Sequence, residues 1–438
     1  MEIKSLYELF LQHPVVTTDS RDCPEGSLFF ALKGESFDGN RFAATALEKG
    51  CAYAVVDDAA AVIPQDERYI LVDNVLTTLQ CLAREHRRAL DLPIIGITGT
   101  NGKTTTKELI ATVLSRKYNT LFTQGNFNND IGVPKTLLRL TPDHEMAVVE
   151  MGASHPGDIK TLVEIVEPNY GLITNVGMAH LQGFGSFEGV KRTKGELYDF
   201  LRKNDDSVVF LNADNEHLVE MAQGLDVVPY SSKGNYGNVV CGEVVECNPL
   251  LKMRWRLPAL VGEENPWHEV QTQLIGAYNI DNVMAAVTVG LYFGVDEDEI
   301  SAALEAYKPS NNRSQLTVTE RNRLIVDAYN ANPTSMRAAI ENFSLIPAEK
   351  KLLILGDMGE LGAESAQAHQ DIVSLLKKEK FTDVWLVGQE FGKISCNYRK
   401  FTDAEEVKQT IGREQPQDYL ILIKGSNFMH LAQLQESL

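Results

Sequence analysis

Short apolar runs recur along this chain, separated by stretches whose apolar positions return at helical spacing. That alternation is the signature of parallel sheets covered by helices. One series, residues 94–97, 146–150, 171–175 and 207–211, predicts a central, doubly wound, mainly parallel sheet. A second, residues 324–327, 351–355, 384–387 and 419–423, predicts a Rossmann-like sheet nearer the C-terminus. Ahead of both, residues 27–32 and 53–57 read as strands, and 42–49 as a helix that stops at Gly50. The pattern changes over residues 238–255, where polar and apolar residues alternate one by one as in antiparallel strands, and this reads as an insertion before a helix over 279–293. Asp91-Leu92-Pro93 marks a break, and the polar Lys308-Pro309-Ser310-Asn311-Asn312 a linker. The expected fold class is therefore α/β in three domains: a small α/β domain over 1–86, a central domain over 87–308 and a C-terminal domain over 309–438.

The length, 438 residues, agrees, because one hydrophobic core does not serve a chain of that size. A formal charge of −19 argues against non-specific binding to nucleic acid or anionic membranes, so anionic ligands must be met by local basic spots. The six cysteines (23, 51, 81, 241, 247 and 396) form no C-x-x-C pair and no zinc spacing with histidine, which reads as free thiols in a reducing compartment. Residues 1–10 carry charges where a signal peptide has an apolar core, and no run suffices to span a bilayer. A cytoplasmic protein without membrane insertion is expected.

Chemistry enters at Thr98-Gly99-Thr100-Asn101-Gly102-Lys103-Thr104, which lies between the strand at 94–97 and a helix expected from Thr105. Gly99 and Gly102 permit a tight turn whose N–H groups face phosphate oxygens, Lys103 adds a positive charge, and the Thr104 hydroxyl suits magnesium. The common G-x-x-x-x-G-K-[ST] form needs glycine at 97, where this chain has Ile97, so the loop is a short variant that binds a nucleoside triphosphate. Glu150 ends an apolar strand, where parallel sheets present groups to ligands, and is a candidate magnesium ligand; His180 follows another strand toward the same edge. In the next helix Phe187, Val190, Leu197 and Leu201 form an apolar stripe, and the position completing it is Lys194. An inward lysine is either paired, with Glu196 or a distant acid, or neutral and open to modification, for instance capture of carbon dioxide as a carbamate.

These residues resemble the Mur ligase family, the ATP-dependent amide-bond ligases of peptidoglycan assembly, over essentially the whole chain. The loop matches the family's T-G-T-N-G-K-T, so the resemblance implies ATP contacts at Gly99, Thr100, Asn101, Gly102, Lys103, Thr104 and Thr105. Thr193-Lys194-Gly195-Glu196-Leu197 matches the pattern A-K-[GA]-E-[IL], which implies that Lys194 is carbamylated. With Thr104, Glu150 and His180 it matches the metal ligands, and Lys103, Glu150, His180 and Lys194 the catalytic set. Asn279 and Asn282 match the adenine-contacting asparagines, although helix capping also accounts for Asn279 alone; Arg313, Asp327 and Tyr329 complete the nucleotide site.

Several segments match the branch of the family that takes UDP-N-acetylmuramoyl-tripeptide and D-alanyl-D-alanine: residues 125–134, 150–153, 327–333, 355–362 and 424–426. Asp19-Ser20-Arg21 and residues 31–39 resemble its uridine-nucleotide segments, which implies substrate contacts at Ser20, Arg21, Lys33, Gly34, Asn126, Asn128, Asn129 and Asn330. Polar turns account for the first four and a helix cap for Asn332-Pro333 without any function. Tyr278 stands where the family has histidine, and Asn311-Asn312 where glycine and arginine precede the residue matched by Arg313. The implied activity is an ATP- and magnesium-dependent ligation through an acyl phosphate by a monomer. Another Mur ligase, a folylpolyglutamate synthetase and a non-catalytic nucleotide switch are the alternatives; a GTPase lacks support, as no N-K-x-D motif is present.

Overall fold

In the computed structural model, residues 2–233, 239–257, 265–309 and 315–438 are described. Three sheets organise them. The first has four parallel strands in chain order, Val16–Thr17, Leu28–Phe30, Tyr53–Val56 and Tyr69–Leu71. The outer two are so short that no period marks them in the sequence.

The second sheet has nine strands. From one edge these are Thr120–Phe122, Met146–Glu150, Ile94–Thr98, Tyr170–Ile173, Val208–Asn212, Asp226–Ser231, Val240–Cys247, Leu250–Arg256 and His268–Ile275. Pairing is parallel as far as Val240–Cys247 and antiparallel beyond it. The alternating segment read as an insertion is thus no separate unit. It continues the central sheet, because Tyr230 and Ser231 pair in parallel with Val240 and Cys241. Its alternation has a one-sided cause: Leu251, Met253 and Trp255 pack with Val283, Met284 and Val287 of the helix Ile280–Tyr292, while Lys252, Arg254 and Arg256 face outward.

Successive residues of the central strands serve opposite layers. Ile94, Val149 and Ile173 share a cluster with Leu28, Val55 and Leu79, so the first sheet and the helix Val75–Leu90 are joined to one face of the central sheet in a continuous core. Ile95, Ile97 and Val148 point the other way, against the helices Lys103–Leu114 and Ile280–Tyr292. The helix Val75–Leu90 runs past residue 86, where the sequence placed a domain boundary. Its buried Arg87 donates to Val166 O at 3.1 Å, Glu167 O at 3.0 Å and Asn169 Oδ1 at 3.0 Å. Glu167 ends the helix Asp158–Val166 in the left-handed region, and the guanidinium takes up its terminal carbonyls. Arg87→Met keeps most of the stem but orphans those acceptors, and is expected to lower unfolding stability by about 2–3 kcal/mol, read as a shift in denaturant midpoint.

The third sheet has six strands, in the order Gln315–Val318, Arg323–Asp327, Tyr419–Lys424, Lys350–Gly356, Val384–Val387 and Arg399–Phe401, and only the first pairing is antiparallel. Among the described residues no helix is long and apolar enough to cross a membrane.

Candidate active site between the central and third sheets

Ile94–Thr98 is flanked by strands that come later in the chain on both sides, Met146–Glu150 and Tyr170–Ile173. The crevice beyond its C-terminal end is a topological switch point, the usual ligand position in such sheets. A cavity of about 1010 Å³ lies there, walled by the phosphate loop on one side and by the third sheet on the other.

The loop is fixed before any ligand arrives. Gly99 and Gly102 have φ of 139° and 79°, and a Cβ on Gly99 would lie 2.0 Å from Thr174 Oγ1. Thr100 N donates to Asn175 O at 2.9 Å and Asn101 N to Asn175 Oδ1 at 3.0 Å, while Asn101 O accepts from Thr174 Oγ1 at 2.6 Å. The helix begins at Lys103, two residues before the expected Thr105, and aims its N-terminus at the cavity. Lys103 Nζ donates to Gly99 O at 2.8 Å and Thr100 O at 3.0 Å, which holds its charge over the loop. Thr104 and Thr105 line the same wall.

Glu150, 1% exposed, is the carboxylate at the bottom of the cavity. Its Oε1 accepts from Thr104 Oγ1 at 3.1 Å and from Asn128 Nδ2 at 2.8 Å, and Oε2 is buried with no hydrogen-bond partner. A buried carboxylate oxygen left open among the described residues, beside a threonine hydroxyl, offers oxygen donors of the kind hard cations take. Among the described residues no three His, Cys, Asp or Glu side chains converge as a complete cage.

Lys194 lies where the stripe predicts, on the buried face of Phe187–Leu201, and is 2% exposed. Among the described residues its ammonium makes no hydrogen bond or ion pair; Nζ sits 5.4 Å from the centre of the Phe184 ring. Pairing with Glu196 is not realised, because that carboxylate accepts from Gly157 N at 2.9 Å and Lys160 N at 2.8 Å. Asp158 is engaged by Ser154 N and His155 N, each at 2.8 Å. Burial, with the Lys103 charge adding to it, pushes the Lys194 amine well below the ordinary lysine range, against weaker upward pulls from Asp158 and Glu196.

His180 lines the cavity in a left-handed conformation, φ 51°, and its Nδ1 contacts Glu360 of the third sheet's loops. Burial pushes the imidazole pKa down; Glu360 pulls it up, and the charges of Lys103 and Lys194 push it further down. The structure therefore brings Thr104 and Glu150 into contact, while His180 faces the third domain.

Asn279 does not cap the helix that follows it. Its Nδ2 donates back to Ile275 O at 2.8 Å, its Oδ1 accepts from Asn282 Nδ2 at 2.8 Å, and Asn282 Oδ1 accepts from Thr106 Oγ1 at 3.0 Å. This chain of amides joins two helices at the cavity wall. From the third sheet come Asp327, Tyr329 and Asn330, with Asp327 paired to Lys424 at 2.5 Å. Asn128 and Asn129 also line the cavity; Asn129 Oδ1 receives Gly132 N at 2.8 Å, and Asn126 lies outside the lining. Ser20, Arg21, Lys33 and Gly34 lie on the first sheet's loops, away from this cavity. There Arg21 binds Asp19 at 2.7 Å, Lys33 binds Asp57 at 2.8 Å, and Gly34 N closes a turn on Phe37 O at 2.9 Å. Arg313 lies outside the described residues.

Two groups, one lining the cavity and one beside the phosphate loop, are given no individual role in the sequence reading. Lys424 ends the apolar run 420–423, the same strand-end signal that singled out Glu150, so it was there to be found. Asn332 reads as a helix cap and is one, yet it also reaches Asn101 of the phosphate loop at 2.7 Å.

Residues 97–290 match the Mur ligase middle domain, residues 312–427 the Mur ligase glutamate ligase domain, and residues 14–87 the Mur ligase family catalytic domain. The UDP-N-acetylmuramoyl-tripeptide–D-alanyl-D-alanine ligase of Bacillus subtilis (strain 168) is 34% identical over 443 residues, covering 99% of this chain and 94% of that one. Its namesake in Escherichia coli (strain K12) is 35% identical over 385 residues, 87% of this chain and 82% of that one. Among solved structures, MurF from Acinetobacter baumannii superposes with a TM-score of 0.86 at 32% identity, over 97% of this chain and 92% of that one. MurF ligase from Thermotoga maritima in complex with ADP gives 0.83 at 25% identity, over 97% and 96%. Fold, phosphate loop and full-length similarity agree: the chain belongs to the Mur ligase family.

Proposed function

We propose that the protein is an ATP-dependent ligase that joins D-alanyl-D-alanine to the free carboxylate of UDP-N-acetylmuramoyl-tripeptide, cleaving ATP to ADP and phosphate in peptidoglycan precursor synthesis. The observation that carries the reaction type is the shared cavity: a nucleotide loop with an open carboxylate faces polar groups of a separate sheet across one space. We assign the uridine-linked substrate to residues 1–86, with Ser20, Arg21, Lys33 and Gly34, and the dipeptide to residues 309–438. The central domain, 87–308, holds ATP, and Asn126, Asn128, Asn129 and Asn330 meet the peptide end. The working unit is read as a monomer.

A carboxylate is a poor acyl donor, since oxide is a poor leaving group. Its oxygen attacks the γ-phosphorus of ATP, ADP departs, and an acyl phosphate results. Two anions must meet for this, and Lys103 supplies positive charge where they do. Magnesium held at Thr104 and Glu150, with His180 and Lys194 nearby, would neutralise further phosphate charge. Lys194 is read as a carbamate: its neutral amine adds to carbon dioxide and loses a proton, turning a buried amine into an anionic oxygen donor. Asn279 and Asn282 orient adenine, and Asp327 and Tyr329 close over the nucleotide and exclude water that would hydrolyse the acyl phosphate; Arg313 is assigned to the same task from the family resemblance alone. The dipeptide amine then attacks the acyl carbon and phosphate leaves.

ADP release tests this reading. It is expected to require UDP-N-acetylmuramoyl-tripeptide and D-alanyl-D-alanine together. Release driven by glutamate or another single amino acid would reassign the acceptor to a different ligase of the superfamily.

A further inference from the structure

The helix Pro333–Leu345 opens on an asparagine whose two amide atoms do separate things. Asn332 Oδ1 accepts from Ser335 N at 2.9 Å, and the Ser335 hydroxyl accepts from Asn332 N at 3.1 Å, a reciprocal cap. This cap settles which way the amide faces. With the oxygen committed to the helix, the NH2 group must point away from it, and it donates to Asn101 Oδ1 at 2.7 Å. Asn332 is 5% exposed, so the donor side of the bond is buried, while Asn101 is half-buried. The backbone of its partner is fixed as well, since Asn101 N and O are held by Asn175 and Thr174. Two preorganised groups, one on each domain, therefore meet at the loop that would cradle phosphate.

Two further contacts across this boundary involve other segments. Ala277 N donates to Asn342 Oδ1 at 3.2 Å and Gln182 N to Glu360 O at 3.2 Å. They hold the domains together without touching residues 98–105. We infer that Asn332 is a positioning residue that couples the conformation of the nucleotide-loaded phosphate loop to the seating of the third domain. It acts through Asn101 and need not touch a reacting atom. The inference rests on the ATP-site reading above and not on the identity of the amine acceptor.

Capping and coupling can be separated by chemistry. Asn332→Asp preserves the cap, because aspartate is as good an N-cap as asparagine, but it sets an oxygen against Asn101 Oδ1. Asn332→Ser also caps and is too short to reach. Each variant is compared with the parent by small-angle scattering in magnesium and a non-hydrolysable ATP analogue, without peptide substrates, and then by steady-state kinetics and melting. Both are expected to melt near the parent temperature, to be more expanded than the nucleotide-loaded parent, and to lose about tenfold or more in kcat with a much smaller change in KM for ATP. Parent-like scattering and kcat in both would overturn the inference and leave Asn332 a cap only. Expansion with a matching fall in melting temperature would do the same, since that is what a lost cap produces. Because the scattering arm contains no acceptor, an error in the assigned dipeptide would show in the ADP-release assay and leave this comparison intact.

Discussion

Lys194→Ala is expected to abolish turnover, by about a thousandfold or more, while nucleotide affinity stays near the parent value. The asymmetry follows from where the residue sits. On the reading proposed above, phosphate is held by Lys103, Thr104 and the loop amides, and Lys194 is not part of that cradle. What the variant loses is a buried amine with no counterion among the described residues, a costly arrangement that stability does not explain. Short carboxylic acids such as acetate or propionate are expected to restore part of the rate, since they fit the space vacated by the side chain and offer the anionic oxygens of a carbamate. Lys194→Met is the control for packing: it refills the volume with apolar atoms, so it should melt at or above the parent temperature and still be inactive, without rescue. ADP release measures turnover, calorimetry measures nucleotide affinity, and a carbon-13 carbamate signal in the parent, absent in both variants, identifies the modification. Full activity of Lys194→Ala without added acid would remove the carbamate from the mechanism.

The positions of Lys194 and Glu150 were legible for different reasons: Lys194 completes an apolar helix stripe, and Glu150 ends an apolar strand at the edge where parallel sheets face ligands. The residues that escaped did so for identifiable causes. Asn332 satisfies a capping signal completely, and a local signal that is satisfied gives no hint of a long-range partner on residue 101. Lys424 obeys the strand-end rule, but its partner Asp327 is far away in the chain and only the parallel pairing of the two strands brings them together. Alternation over 238–255 correctly marked antiparallel pairing and a half-exposed face; it carries no information about which sheet the strands join, because that depends on the free edge at Asp226–Ser231. The three-sheet α/β architecture was readable because the runs at its centre, such as Ile94–Thr98, Met146–Glu150 and Val384–Val387, are buried on both faces, and helices such as Phe187–Leu201 bury one stripe. The junction between the first two sheets was not, since the helix Val75–Leu90 belongs to a core that both share.

Glu150→Gln should cost about a hundred- to thousandfold in kcat/KM and raise the magnesium concentration needed for half-maximal rate, yet leave the protein as stable as the parent or more so. The two signs are linked through one atom. Oε1 is already occupied by the Thr104 hydroxyl and the Asn128 amide, so the local fold uses that oxygen and glutamine retains it. Oε2 is buried and unpartnered, which in folding terms is a penalty. Glutamine replaces that oxygen with an NH2 group that carries no charge and offers no lone pair to a hard cation, so the penalty shrinks together with the metal affinity. Glu150→Asp separates charge from reach: it keeps the anion but withdraws it by one methylene from Thr104 and Asn128, and is expected to fall between the parent and glutamine in rate and below both in stability. A magnesium titration of ADP release, run beside thermal melts of the three proteins, reads both axes at once. If the glutamine variant turns over normally at the parent's magnesium requirement, the open oxygen is not a metal ligand. If it loses stability in proportion to activity, Glu150 is a structural link between the strand Met146–Glu150 and the phosphate-loop helix, and the metal must be held elsewhere.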